Sequence, residues 1–331
     1  MICICSTLLS DGFREGVIMA LEIGVQSKNV VFDDNPAEGF EVLKKAGFTC
    51  CDFSLNNYLK NTDLYQEVLN RFFDKSVEEL ESFFTPHKEG AKAAGIRINQ
   101  MHMPYPTFVP GAKSELNDYL WNEVGPKSME ICRFLGCHNI VIHGFKLTRY
   151  YGSEQAEWEK TLEFLEFLAP KAVEYGITMC MENLYNSQGN RMVEGPGGNA
   201  YKAAERIDRM NDKFGAEVLG FCYDTGHGNL VGIDPYKFIT VLGKRLKVLH
   251  MHENDGIADL HQLPFTFTRT RENTSVLDWD GILRGLKETG FEGVLSFETA
   301  PVLDCFPSEL KGDVLKLIAR TGMYFRSRIE N

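Results

Sequence analysis

The 331-residue sequence predicts an α/β fold: a single closed barrel of eight parallel strands with helices outside it, (β/α)8. Three observations carry this expectation. Eight short apolar runs recur along the chain, and the stretches between them carry apolar residues three and four apart. Most of these stretches end in glycine just before the next run. No linker, low-complexity tract or proline-rich break divides the chain.

The predicted strands are, in order, Leu21–Val25, Thr49–Phe53, Arg97–Met101, Asn139–His143, Thr178–Glu182, Val218–Asp224, Lys247–His252 and Gly293–Glu298. Helical periodicity shows between them, as in Phe40 and Leu43, or Trp158, Leu162, Leu165 and Leu168. Gly47, Gly95, Gly136, Gly176 and Gly290 stand where helices must stop, because glycine accepts the left-handed conformation. An open doubly wound sheet would place a glycine-rich phosphate turn after the first strand, and Gly24-Val25-Gln26-Ser27 lacks one. The leader, residues 1–18, has an apolar piece from Ile2 to Leu9 with no basic residue before it, and Arg14 follows, which is not the layout of a signal peptide. Met19 precedes Ala20-Leu21-Glu22 directly, so the expected barrel domain is 19–331, with the leader outside it.

Composition narrows the function. There are 35 basic and 46 acidic side chains, a net charge of −11, which disfavours a nucleic-acid partner, since phosphate neutralisation needs a basic surface. The nine cysteines include no Cys-x-x-Cys pair and several lie in apolar runs, which points to a reducing cytoplasm and not to a disulfide scaffold or thiolate metal site. No apolar run approaches the roughly 20 residues of a membrane helix.

Strands buried on both faces should carry few charges, yet here charged and imidazole groups gather at the strand ends. Strand three runs into His102, strand four ends in His143, and strand five ends in Glu182-Asn183. Strand six ends in Asp224-Thr225-Gly226-His227, strand seven carries His250 and His252, and strand eight ends in Glu298. Taken singly, each reads as a structural histidine, a helix cap or a turn. Six strands delivering such residues to the C-terminal mouth, where sites of this architecture lie, predict a divalent cation that compensates the converging carboxylates. A mixed Glu, Asp and His set suits Mn2+, Mg2+, Co2+ or Zn2+.

These motifs, in this order, resemble the xylose isomerase-like TIM-barrel superfamily, which includes sugar isomerases and epimerases, inosose-metabolising enzymes and endonuclease IV-type repair enzymes. The resemblance runs from Leu21 to about Arg320 and rests on Met181-Glu182-Asn183, Asp224-Thr225-Gly226-His227, His250-Met251-His252-Glu253-Asn254-Asp255 and Ser296-Phe297-Glu298-Thr299. It implies Glu182, Asp224, His250 and Glu298 as metal ligands, with Glu182 and Glu298 also acting as the catalytic proton-transfer pair. Sugar isomerisation or epimerisation would then pass through an enediolate formed at a carbonyl polarised by the cation. By the same resemblance His102, His143, His227, His252, Asp259 and His261 bind substrate or a second metal.

The resemblance also implies a small-molecule sugar or polyol-derived substrate, no membrane partner, and a possible homo-oligomer. Two departures bear on the substrate. Gly256 stands where ketose 3-epimerases carry a substrate-binding arginine, and Gln188 where they carry a glutamate, which disfavours 3-epimerisation of free ketohexoses. His102, His143, Asp259 and His261 match positions of the trinuclear-zinc endonucleases. A metal-dependent phosphodiesterase, or a lyase of the inosose-dehydratase kind, is therefore the alternative. Arg269 and Arg271 read either as a carboxylate or phosphate clamp or as a solvated loop, and Gln188 to Asn199 as a lid or a passive insertion.

Overall fold

The computed structural model describes residues 20–148, 152–269 and 274–331. The leader and Arg271 lie outside them. All eight expected strands are present, each end within two residues of its expected place: β1 Glu22–Gln26, β2 Cys50–Ser54, β3 Arg97–His102, β4 Asn139–Ile142, β5 Thr178–Glu182, β6 Leu219–Asp224, β7 Leu246–His250 and β8 Val294–Phe297. They pair in parallel in the order β8-β1-β2-β3-β4-β5-β6-β7. The seam between β7 and β8 closes through a parallel bridge from Met251 to Phe297: Met251 N–H donates to Ser296 O at 2.9 Å and Glu298 N–H to Met251 O at 3.2 Å. β7 stops at His250, short of the expected His252, because a side chain replaces the ladder there. The Thr225 hydroxyl donates to His252 O at 2.6 Å and accepts from His252 N–H at 3.0 Å.

The helices obey their local signals. Gly47, Gly95, Gly136, Gly176 and Gly290 all have positive φ, between 62° and 108°. Helix Val77–Ala94 begins in a reciprocal box in which the Ser76 side chain accepts from Glu79 N–H and Glu79 accepts from Ser76 N–H. The C-terminal helix Ser308–Glu330 buries Val314, Ile318, Gly322 and Phe325, and it clamps the entry to β1. Leu21 N–H donates to Glu330 Oε1 at 2.7 Å, and Arg326 donates to Leu21 O.

Inside the barrel, Val141, Cys180, Cys222 and Val248 form a small apolar plug on β4, β5, β6 and β7, apart from the main core. Side chains two residues apart on a strand share a face. His143, Glu182, Asp224 and His250 each stand two residues beyond a plug residue, so the strand period delivers them to one layer at the C-terminal mouth. Among the described residues no helix is long and apolar enough to cross a membrane. Because β1 is held by β2, β8 and the C-terminal helix, a chain beginning at Met19 is expected to melt within about 2 °C of the full chain, a shift that corresponds to less than ~1 kcal/mol at this size. A calorimetric drop of about 10 °C, several times that, would show instead that residues 1–18 pack on the barrel.

Candidate metal centre and active site

Glu182 ends β5 fully buried and is surrounded by imidazoles. Its Oε2 lies 3.3 Å from His102 Nε2 and 3.0 Å from His143 Nε2, while its Oε1 lies 3.2 Å from His227 Nδ1 and 3.4 Å from His250 Nδ1. Burial works to raise its pKa, but the histidines, His250 foremost, outweigh burial and hold the carboxyl well below the usual range. Asp224 ends β6 and caps the short helix Thr225–Leu230, its Oδ1 accepting from His227 N–H at 2.6 Å. Its Oδ2 lies 3.0 Å from His252 Nε2 and 4.0 Å from His250 Nδ1. Burial again opposes its ionisation, and His227 and His252 restore it. Asn183 ties the two strand ends together, donating to Asp224 O at 2.9 Å and accepting from Asp224 N–H at 2.8 Å.

Glu298, just beyond β8, accepts from Gln26 Nε2 through Oε1 at 2.9 Å, and its Oε2 lies 3.2 Å from His250 Nδ1. His250 is thus aimed at three carboxylates. Its Nε2 is backed by Asp52 Oδ2 at 3.1 Å, the carboxylate-behind-imidazole arrangement that orients metal-binding histidines. Among the described residues, neither ring nitrogen of His250 makes a hydrogen bond of regular geometry, and Nδ1 is the one that faces Glu182, Asp224 and Glu298. Ligand atoms from Glu182, Asp224, His250 and Glu298 all lie within 4.8 Å of one another. Oxygen and nitrogen ligands bind such cations at roughly 2.0–2.2 Å, so a set of this span closes on one ion with little movement. The donor chemistry fits a divalent cation.

A second cluster adjoins the first. His252, Asp259 and His261 also bring ligand atoms within 4.8 Å of one another, and Asp259 Oδ2 lies 3.3 Å from His227 Nε2 and 3.2 Å from His261 Nε2. Burial opposes ionisation of Asp259, but His227 and His261 hold its carboxyl far below the usual range. Conversely, burial opposes the charge on His261, yet Glu298 and Asp259 bring its pKa up to about 9. His252 and His261 stack at 3.9 Å between ring centroids. A third grouping, His102, Glu182 and His250, meets the same distance limit. The structure therefore brings every residue expected at the mouth into one network.

Several residues at this site went unread in the sequence: Asp52, Gln26, Tyr105, Lys146 and Tyr185. Tyr105 stacks on His143 with centroids 4.5 Å apart, and Tyr185 meets the His227 ring edge-on. Lys146 lies just past β4, and burial draws its ammonium down to about 8. The loop expected over Gln188 to Asn199 begins inside an antiparallel hairpin, Tyr185–Gln188 paired with Arg191–Glu194. Gly256 sits at φ 78°, a conformation that favours glycine.

Comparisons with known proteins agree with this fold. The chain is similar to a D-tagatose 3-epimerase-like protein (TM-score 0.63, 18% identity), which it matches over 93% of its own length and 98% of the other's. It is similar to the 3-keto-D-glucoside 4-epimerase YcjR of E. coli (TM-score 0.61, 14% identity; 93% and 99%) and to a D-psicose 3-epimerase (TM-score 0.60, 15% identity; 92% and 98%). In sequence it is 24% identical to the uncharacterised protein y4fM of Sinorhizobium fredii over 59% of this chain and 60% of that one. It is also 24% identical to an uncharacterised protein of Methanocaldococcus jannaschii, MJ1311, over 66% of this chain and 70% of that one. The model of the xylose isomerase-like TIM barrel matches residues 40–311, and the chain belongs to that family.

Proposed function

We propose that the protein is a divalent-metal-dependent isomerase or epimerase of a sugar or sugar derivative, with Glu182 and Glu298 transferring the proton. The observation that supports this most is the convergence of these two glutamates with Asp224 and His250 within one 4.8 Å cluster at the barrel mouth. When bound there, Mn2+, Mg2+, Co2+ or Zn2+ polarises a substrate carbonyl and offsets negative charge developing on its oxygen. The chain's own residues do the rest. Glu182 Oε2 meets His102 and His143, and Glu298 Oε1 accepts from Gln26, which turns the other oxygen of each toward His250 Nδ1. One carboxylate removes the carbon-bound proton next to the carbonyl, and the other returns a proton to the neighbouring carbon or the opposite face. His227 and His261, which line the same chamber as Glu182 and Glu298, would contact substrate hydroxyl groups. The sugar epimerases among the structural neighbours favour the same reading.

The test is proton exchange. Metal-loaded protein in heavy water, with a panel of ketoses, aldoses and keto-inositols, is expected to introduce deuterium at the carbon next to the carbonyl of at least one of them, read by NMR. A second reading, metal-dependent phosphodiester hydrolysis, is favoured by one observation: His227, Asp259 and His261 form a further cluster beside the first. Metal-dependent cleavage of an abasic-site duplex, with no exchange on any sugar, would reverse the order. Exchange accompanied by loss of water would identify a lyase.

A further inference from the structure

The C-terminal helix, Ser308–Glu330, packs Val314, Ile318, Gly322 and Phe325 inward and leaves an apolar stripe on another side. Leu310, Leu317 and Tyr324 are 47%, 53% and 46% exposed. They stand seven residues apart, about 20° short of two turns, so they share one line along roughly 21 Å of helix. Thirteen large apolar side chains are exposed among the described residues, and six lie on or beside this helix: Phe265, Phe306, Leu310, Leu317, Met323 and Tyr324. Single exposed apolar groups are ordinary, whereas a gathering of them marks a contact surface. Tyr324 is already held in place. Its hydroxyl accepts from Arg328 Nη1 at 2.9 Å, Arg328 is fixed in turn by Asp280 at 3.1 Å, and its ring meets Phe265 edge-on with centroids 6.3 Å apart.

The charges beside the stripe indicate what covers it. Asp313 stands four residues before Leu317 and Arg320 three after, which puts both on the same flank of the stripe. Arg320 is exposed and, among the described residues, makes no ion pair or hydrogen bond. Asp313 meets Lys316 at 2.9 Å on the surface. If two such helices packed in parallel, Asp313 would face Asp313 and Arg320 would face Arg320. In an antiparallel pair about a twofold axis at Leu317, Leu310 meets Tyr324 of the second copy, seven residues from the axis on either side. Asp313 then lies within about 1.5 Å, along the helix, of Arg320 of the other copy, and the twofold keeps them on one flank. The face is complementary to itself in that orientation alone.

We propose that the protein forms a homodimer through its C-terminal helices, packed antiparallel about a twofold axis at Leu317, with Asp313 of each copy paired to Arg320 of the other. None of these residues lines the chamber of Glu182 and Glu298, so the interface stands apart from the proposed chemistry.

Sedimentation of the full chain is expected to show a reversible monomer–dimer equilibrium with a micromolar dissociation constant, since a single helix stripe is at the small end of specific interfaces. Leu317→Asp should leave the chain monomeric at about 100 μM, because the axis would bring two unpaired carboxylates together in an apolar seam. At low concentration it should melt as the wild type does, the position being exposed. Arg320→Asp and Asp313→Arg should each weaken the dimer about tenfold by setting like charges opposite each other. Together they should bring affinity back to within about threefold of wild type, a recovery that a packing defect does not produce. Orientation is read by oxidation in a Cys305→Ser background. Leu317→Cys should crosslink beyond its parent, since its two copies meet at the axis. Leu310→Cys should not, since its copies lie roughly 21 Å apart and a disulfide reaches about 7 Å between Cα atoms. Equal crosslinking of both overturns the antiparallel pairing. A chain that stays monomeric at about 100 μM overturns the dimer, and one that dimerises only when it begins at Met19 gives the stripe to residues 1–18. A dimer that survives both Leu317→Asp and Arg320→Asp lies on another surface and overturns it as well.

Discussion

Glu298→Gln is expected to abolish deuterium exchange, lowering its rate roughly a hundred- to ten-thousand-fold, the range that a positioned general base contributes. The amide keeps the size of the side chain and can still meet Gln26, but it is neither a base nor an anionic ligand. Glu182→Gln should match it in activity and exceed it in structural cost. Glu182 lies within 3.4 Å of four imidazoles and is fully buried, so its loss leaves several charged or polar rings without their anion. A melting curve separates the two effects, since Glu298→Gln should remain close to wild type while Glu182→Gln falls. A chelator should silence the wild-type protein equally, and returning Mn2+ should restore it, because the proposed role of Glu182, Asp224, His250 and Glu298 is to hold that cation. Full exchange in chelated protein, or in either glutamine variant, removes the basis for the proposed chemistry.

What could be read from the sequence, and what could not, follows from how far each feature depends on distant partners. The strands were legible because parallel strands buried on both faces are apolar throughout, and because glycine marked the helix ends between them. Glu182, Asp224 and Glu298 were legible because a carboxylate at the end of such a strand needs a reason to be there. Asp52 carried the same signal, a lone acid between Cys51 and Phe53, but its location inside an apolar run hid it. Its partner His250 lies on a strand far along the chain, and only barrel closure joins them. The hairpin after β5, which overlaps the expected loop Gln188 to Asn199 only in part, is hard to read because Tyr185-Asn186-Ser187-Gln188 and Arg191-Met192-Val193-Glu194 show no clear alternation of apolar and polar residues. Lys146 gave no signal. Its contact with Tyr185 O arises where two loops meet, and loop meeting points leave no period in a sequence.

Gly226→Ala is expected to damage both stability and activity, out of proportion to one methyl group. Gly226 lies in the short helix that Asp224 caps, and a Cβ there would come within 2.0 Å of His252 Cε1 and 2.5 Å of its Nδ1. That ring has nowhere to retreat. Its Nε2 lies 3.0 Å from Asp224 Oδ2, its face stacks on His261, and its backbone N–H is held by Thr225 Oγ1. Asn254 fixes the other side, donating to Gly226 O at 2.9 Å. Overpacking of this kind costs about 1–3 kcal/mol or more, which in a chain of this length corresponds to a fall of several degrees at roughly 2–4 °C per kcal/mol. Whichever group yields, the Asp224–His252 contact opens and a proposed metal ligand moves, so exchange should fall together with the melting temperature, and Mn2+ should bind more weakly. Gly312→Ala supplies the control: it lies in the C-terminal helix at an exposed position without positive φ and with nothing within 4 Å of the added Cβ, and there alanine should stabilise by about 0.5–1 kcal/mol. If Gly226→Ala melts and exchanges as Gly312→Ala does, then the ring of His252 is not packed against this turn, and the shape of the Asp224 side of the metal centre must have another cause.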